Sequence, residues 1–458
     1  GMYATYMLPN CHESDKERLS QVCEAVKRVF ASTFFQEPKT LMENIVHRHE
    51  EEKMAVIIME LVGQKHGNYF YPTFSGVAQS YNYYPVSYMQ REEGIAFTAL
   101  GLGRTIVEGG QALRFSPKYP NILPQFYSVK STIVNSQHTF YALNLNNGDN
   151  PLRDGEQKNL EQLHLEDAEE HGILKHIASV ICDEDEIIRD SLKNKGRRVI
   201  TFSPILKFQT FPLADILQEI LELSQMAMGC PVEIEFAVNM YNASDIQDEF
   251  CLLQIKPMVV GSLQRSEHFL QSEKKDILGS SDMVLGDGIM DSIHDIIYVD
   301  FDAFDRSTTR NIAKEIELFN RQLGKENPYL LLGPGRWGTA DPWLGIPVNW
   351  KQISHAKVIV EMGIDELNPE PSFGSHFFQN VTSLRIGYFT LQHIDKGGDL
   401  DMDWLNNQPV KQATKFIRWI HLDEPLQICI DGSSGKGVIL KPQPQLNEVM
   451  DEGESTGI

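Results

Sequence analysis

Two neighbouring segments, Val232-Glu-Ile-Glu-Phe-Ala237 and Phe250-Cys-Leu-Leu-Gln-Ile-Lys-Pro-Met258, decide how this chain is read. Apolar and polar residues alternate through the first and over Leu253–Lys256 of the second, which marks strands with one wet face. In the first, Val232, Ile234 and Phe236 point one way, so Glu233 and Glu235 point the other way together. In the second, Gln254 and Lys256 share a face while Leu253 and Ile255 take the opposite one. The polar connection between them, NMYNASDIQDE, suits a hairpin. Pairing of the two strands would set two carboxylates beside one amide and one ammonium. That group suits a nucleoside triphosphate carrying a divalent ion. Carboxylates and an amide oxygen are hard ligands for Mg²⁺, and an ammonium neutralises a phosphoryl group in transfer. The same spacing also describes an ordinary half-exposed hairpin with a Glu–Lys cross-strand pair, and the residues alone leave both readings open.

The chain has 458 residues, room for roughly two to four domains at about 150 residues each. Lys plus Arg is 41 and Asp plus Glu is 63, a formal net charge of −22. Such a surface repels phosphate backbones and anionic lipid, so nucleic acid and the membrane surface are poor partners. A bound nucleotide would need a local cationic pocket. No apolar run approaches the ~18–20 residues that span a bilayer. The start, Gly1-Met2-Tyr3, has neither a basic nor an apolar leader region, and Gly1 before Met2 reads as a tag remnant. The six cysteines, Cys11, Cys23, Cys182, Cys230, Cys251 and Cys429, are dispersed without a CxxC pair. They read as buried thiols of a cytoplasmic protein, with no disulfide framework and no zinc site.

Outward from the hairpin, Pro212–Met228 predicts an amphipathic helix with Leu213, Ile216, Leu217, Ile220 and Leu221 on one face. Ser14–Phe30 predicts another, opened by a capping-box pattern of Ser14 and Glu17. The near-continuous apolar run at Met54–Val62 predicts a buried strand. Residues 142–170 read as an exposed insertion, and 261–280, ending in Gly-Ser-Ser, as a linker. A second block then shows strands at Asp295–Phe301, Tyr329–Leu332 and Lys357–Glu361, and a helix at Thr308–Leu323. After Pro442 the chain becomes an acidic tail.

Several of these segments resemble, in order, the nucleotide-binding half of the phosphoenolpyruvate synthase / pyruvate phosphate dikinase family. MAVIIMELV (54–62) resembles its apolar hinge strand, YPTFSGVA (71–78) its SGV-type strand, and GLGRTIVEGG (101–110) its GLGE-x-V-x-G segment. VEIEFA and LLQIKP are similar to its DIEWA and QxRP signatures. The resemblance covers roughly residues 3–258 and implies an ATP-grasp fold that binds ATP with Mg²⁺. It implies that Glu235 and Gln254 hold Mg²⁺–ATP, that Glu233 supports them, and that Lys256 meets the terminal phosphate. Glu60, Leu61 and Val62 would line the adenine and ribose. Three departures stand out. Lys256 replaces an arginine, which keeps the charge but loses the bidentate fork. Arg104 stands where the family has glutamate. The family's first lobe, with a lysine and an arginine that grip the phosphates, precedes the segment that TYMLPN (5–10) resembles, so that lobe or a separate chain is an implied partner.

Family members continue into a swivelling domain with a phosphorylatable histidine. The sequence offers Lys357–Glu361, then Phe373-Gly-Ser-His376, then Ile386–Leu391, and a closing hairpin at Leu426–Gly432 with Gly437-Val438. A histidine opening a helix would meet free N–H groups that favour a phosphoryl group, and a neutral imidazole is nucleophilic. The other reading of His376 is a packed or surface histidine. Gly333-Pro-Gly-Arg-Trp-Gly338 matches the dinucleotide fingerprint only superficially, because Pro342 and Pro347 prevent the helix that should follow. It is read as a glycine-shaped turn. Trp337, Trp343 and Trp350 are read as core or interface.

The sequence therefore predicts an α+β protein. A partial ATP-grasp-like domain (1–260) and a linker (261–280) precede a smaller α/β swivelling phosphohistidine-like domain (281–442) and an acidic tail (443–458). The expected function is ATP-dependent phosphotransfer, a kinase chemistry, from Mg²⁺–ATP through His376 to an acceptor the sequence does not name, with Lys256 and His376 as catalytic residues. The alternative is a non-catalytic nucleotide-binding or scaffold relic of the same family.

Overall fold

The computed structural model describes residues 3–35, 38–39, 53–83, 85, 89–147, 152, 158–182, 187–242, 246–258, 274–339, 341, 343–363, 377, 381, 386–391, 399–432 and 434–442. His376 and the acidic tail lie outside them. Helix α1 (Asp15–Ser32) forms as expected, but Ser14 makes no side-chain cap and Leu19 and Phe30 stay exposed. The predicted buried strand at 54–62 does not form. That stretch has no regular structure, and Ile57, Ile58 and Met59 are exposed. Apolar periodicity reports a preference for burial but not whether a neighbour is there to supply it.

The first half is organised by a five-stranded antiparallel sheet. Its strands are β1 (Phe74–Gln79), β2 (Ile95–Leu100), β3 (Leu113–Phe115), β4 (Val232–Asn239) and β5 (Glu249–Pro257), in the order β5-β4-β1-β2-β3. Helix α2 (Leu213–Met228) precedes β4 and buries Leu213, Leu217 and Leu221. Ile234, Phe236, Phe74, Ala78 and Ala96 form one face of this sheet and belong to the core that includes α2. Backbone approach is close there: a Cβ added at Gly76 would lie 2.0 Å from the Phe236 ring, which stacks on Phe250. Gly76→Ala should therefore overpack the sheet and cost about 3 kcal/mol, read as a lower urea midpoint at unchanged slope. An unchanged midpoint would mean that the ring moves aside freely. The supposed insertion at 142–170 is partly structured. Leu160–His164 pairs with Thr139–Asn144, and the helix Leu165–Glu170 buries Leu165 and Ala168.

The second half is built on β6 (Asp287–Val299), α3 (Thr309–Leu323), β7 (Tyr329–Pro334), β8 (Ala356–Met362), β9 (Gly387–Leu391), β10 (Ile417–Asp431) and β11 (Lys436–Leu440). Strands β9-β8-β7-β6 are parallel neighbours, and β10 and β11 extend the sheet antiparallel. The end of the supposed linker is a strand of this sheet, Ile277–Ser281, paired with β11. Its Ile-Leu pair is apolar enough to enter a sheet edge, whereas the Gly-Ser-Ser that follows suggested a loop. Residues 259–273 lie outside the described set.

The two halves share a core. Val77, Ile95, Phe97, Ala99 and Ile106 from the first half cluster with Leu285, Ile297, Ile316, Trp337 and Tyr388 from the second. These first-half strand residues occupy the face of the five-stranded sheet opposite to Ile234 and Phe236. At roughly 2 kcal/mol per buried large apolar side chain, separating the halves would be costly. Free rotation about a linker is expected only where an interdomain interface is small and polar. A second half that swivels as a whole is thus not what this packing favours.

Candidate functional site

The strand-face reading of the hairpin is met by the register. Glu233 lies opposite Lys256 and Glu235 opposite Gln254. A bulge after Glu235 leaves Leu253 without a partner residue on β4, which increases local twist without changing the face of Gln254 and Lys256. Lys256 forms an ion pair with Glu235, and its Nζ lies 4.0 Å from a Glu233 oxygen. On the other side of β4, Gln79 is the register partner of Glu233 and its Nε2 donates to Glu233 Oε2 at 2.8 Å. Glu233 is nearly buried, whereas the Glu235 and Lys256 side chains are about a quarter exposed and Gln254 is exposed. One face of the sheet therefore carries two carboxylates, one ammonium and two amides, with Glu235, Lys256 and Gln254 reaching solvent at the edge and Glu233 and Gln79 buried behind them.

Gln79 was not singled out in the sequence. Its signal was present, since Ser75, Val77 and Gln79 alternate on one face. That β1 would be the strand beside Glu233 depends on tertiary pairing, which no local pattern reveals. Glu60, Leu61 and Val62 are placed differently from the carboxylates. Glu60 is exposed in an irregular segment and Leu61 packs into the core on the opposite face of the sheet.

At one end of the carboxylate-bearing face lies the 101–110 turn. Ser75 Oγ donates to Gly101 O at 2.8 Å, and Ser75 pairs with Ala237, two residues along β4 from Glu235. Arg104 forms an i,i+4 ion pair with Glu108 and stands over the Tyr141 ring, 5.2 Å from its centroid. Tyr141 in turn donates its hydroxyl proton to Glu108 Oε2 at 3.3 Å. Position 104 thus carries a cation whose charge is matched by the Glu108 carboxylate one helical turn later.

The 333–338 segment is a glycine-shaped turn. Gly335 and Gly338 adopt φ of 70° and 73°, and Arg336-Trp337 pairs with Gly345-Ile346 instead of opening a helix. Trp337 and Trp350 are core, as expected, but Trp343 is 67 % exposed. The turn is held by Glu361 at the end of β8, whose Oε1 accepts from Trp337 N at 2.8 Å, while Trp337 Nε1 donates to Val360 O. Glu361 is fully buried, and burial pushes its carboxyl up to about 7. The six cysteines are free thiols. Only Cys429 is buried, and Cys11 and Cys23 are exposed, so the expectation of buried thiols holds for one of them.

Among the described residues, no cluster of three or more His, Cys, Asp and Glu side chains forms a metal cage. A magnesium ion that arrives with phosphates usually takes only one or two protein carboxylates, its remaining positions going to phosphate and water. The Glu233–Glu235 pair fits that demand, and the partly exposed Glu235 is the accessible member. Among the described residues, no helix is long and apolar enough to cross a membrane.

No curated protein matches the chain. Residues 1–276 match the family model of the pyruvate phosphate dikinase AMP/ATP-binding domain. The match covers more than half of the 458 residues, includes both strands of the carboxylate hairpin, and carries nucleotide binding with it. The chain belongs to the phosphoenolpyruvate synthase / pyruvate phosphate dikinase family.

Proposed function

We propose that the protein is an ATP-dependent phosphotransferase that holds Mg²⁺–ATP on the wet edge of β4 and β5. The observation that carries this reading is the convergence of Glu233, Glu235 and Lys256 within a domain of an ATP-binding family. Glu235 and Gln254 would hold the magnesium ion, which when bound draws charge off the terminal phosphates. Glu233, fixed by Gln79, keeps Glu235 and Lys256 in register. Lys256 exchanges its carboxylate partner for a phosphate oxygen, so the ion pair in the free protein keeps the ammonium positioned. Such catalysis is mostly positioning and charge neutralisation.

The acceptor in this reading is His376. An imidazole nitrogen forms a bond to the γ-phosphorus as the bond to the β,γ-bridging oxygen breaks, and ADP leaves. His376 directly precedes Phe377, which is buried against Trp350 and under Gly338. The domain division at 260 and 281 enters the proposal only as a sequence boundary, since the two halves share a core.

The test is incubation with γ-labelled ATP and Mg²⁺. Acid-labile, alkali-stable label that disappears in His376→Ala is the expected result. A protein that binds ATP but takes up no label would be the non-catalytic relic.

A further inference from the structure

The proposed site carries two carboxylates and one ammonium, so its own hairpin does not neutralise a triphosphate. The structure offers a cation from an unexpected place. Arg336, in the glycine turn of the second half, reaches across to the first: its Nη1 donates to Gly109 O at 3.3 Å. Thr339 Oγ1 donates to the same carbonyl at 3.2 Å. The 333–339 turn is thus seated directly on the 101–110 turn, which lies on the carboxylate-bearing face beside Ser75 and Ala237.

Three features make this junction more than a structural latch. Arg336 is half-buried, so its guanidinium is partly desolvated yet reachable. Among the described residues it makes one long hydrogen bond, which leaves most of its five N–H donors for another acceptor. The turn also emerges from the carboxyl end of β7, next to the end of β8, where open parallel sheets place their ligand crevices. Arg104 on the facing turn is ion-paired to Glu108, whereas Arg336 has no ion pair among the described residues; the acidic group that feels its charge is the buried Glu361, whose raised carboxyl leaves that charge only partly matched.

We propose that Arg336 is a phosphate-binding residue of the nucleotide site, so that the site is completed by the second half of the same chain. This rests on the nucleotide reading above and adds to it the source of the missing positive charge. It also gives the shared core a purpose: Val77, Phe97, Ile297 and Trp337 belong to the core that joins the two halves, and across the same junction Arg336 meets Gly109.

The experiment measures binding of ATP, ADP, AMP and adenosine, each with Mg²⁺, by titration calorimetry on the full chain and on Arg336→Gln and Arg336→Lys. Charge-assisted hydrogen bonds to phosphate are among the strong ones. Arg336→Gln should weaken ATP by about tenfold or more, AMP less, and adenosine within about twofold, with Arg336→Lys intermediate. An equal loss for ATP and adenosine, or none, overturns the inference while the nucleotide reading stands. A wild-type chain with no ATP affinity overturns both. A second measurement needs no variant. Phenylglyoxal modification of Arg336, read by peptide mass, should be slowed by Mg²⁺–ATP and not by adenosine, and equal modification in both overturns the assignment.

Discussion

Glu235→Ala is expected to lower Mg²⁺-dependent ATP affinity by about a hundredfold, roughly 3 kcal/mol, while Glu108→Ala changes it only severalfold. Both residues are acidic, partly exposed and ion-paired to a cation. They differ in position. Glu235 shares its edge with Glu233 and Lys256, whereas Glu108 is occupied by Arg104 and Tyr141. Loss of Glu235 removes the accessible carboxylate for magnesium and also releases Lys256. The two effects oppose each other, and omitting the metal separates them. Without Mg²⁺ the freed ammonium should hold ATP as well as or better than in the wild-type protein; with Mg²⁺ the loss of the ligand should dominate. Stability should change little, because the Lys256 side chain is about a quarter exposed and Glu233 remains 4.0 Å from its nitrogen. Calorimetric titration with and without Mg²⁺ reads both arms. Equal losses for the two variants would refute the assignment of the site to this strand face.

The parts of this site that were legible from sequence are those set by local periodicity. Alternation in 232–237 and 253–256 fixed which side chains share a face, and the register, which places Glu235 opposite Gln254, keeps them on that face. Helix α2 was equally legible, because Leu213, Leu217 and Leu221 recur at helical spacing. What the sequence hid depends on neighbours far along the chain. Gln79 meets Glu233 across 154 positions, and Arg336 meets Gly109 across 227. The exposed run at Ile57–Met59 shows the reverse failure, an apolar pattern whose burial no described neighbour provides. How the second half is seated was hidden for a related reason. Its order of elements was recognisable, but no motif shows that Val77 and Phe97 present an apolar face on which that domain is seated.

Glu361 offers the largest expected effect of pH on stability. It sits at the end of β8 with no exposed surface, and burial is the main cause that raises its carboxyl from 4.5 to about 7. Hydrogen bonds from Tyr388 and the Trp337 backbone, and the nearby Arg336 charge, pull the other way without cancelling it. In the unfolded chain the carboxyl ionises near its ordinary value. Below about pH 4.5 the group is protonated in both states and folding carries no charge penalty. As pH rises to about 7 the unfolded chain releases its proton while the folded one keeps it, so stability falls. Above that the full penalty is present, about 3 kcal/mol for a shift of this size. Glu361→Gln removes the titration while keeping an oxygen to accept from Trp337 N. The variant should match the wild-type protein near pH 4.5 and exceed it by about 2–3 kcal/mol at pH 8, after allowance for one amide group left without an ideal partner. Urea unfolding at both pH values measures the difference, in which every other titrating group common to the two proteins cancels. Parallel pH profiles would mean that Glu361 is ionised in the folded protein throughout. The buried carboxylate would then be a standing counter-charge to Arg336, and replacing it should tighten ATP binding at pH 8 instead of stabilising the fold.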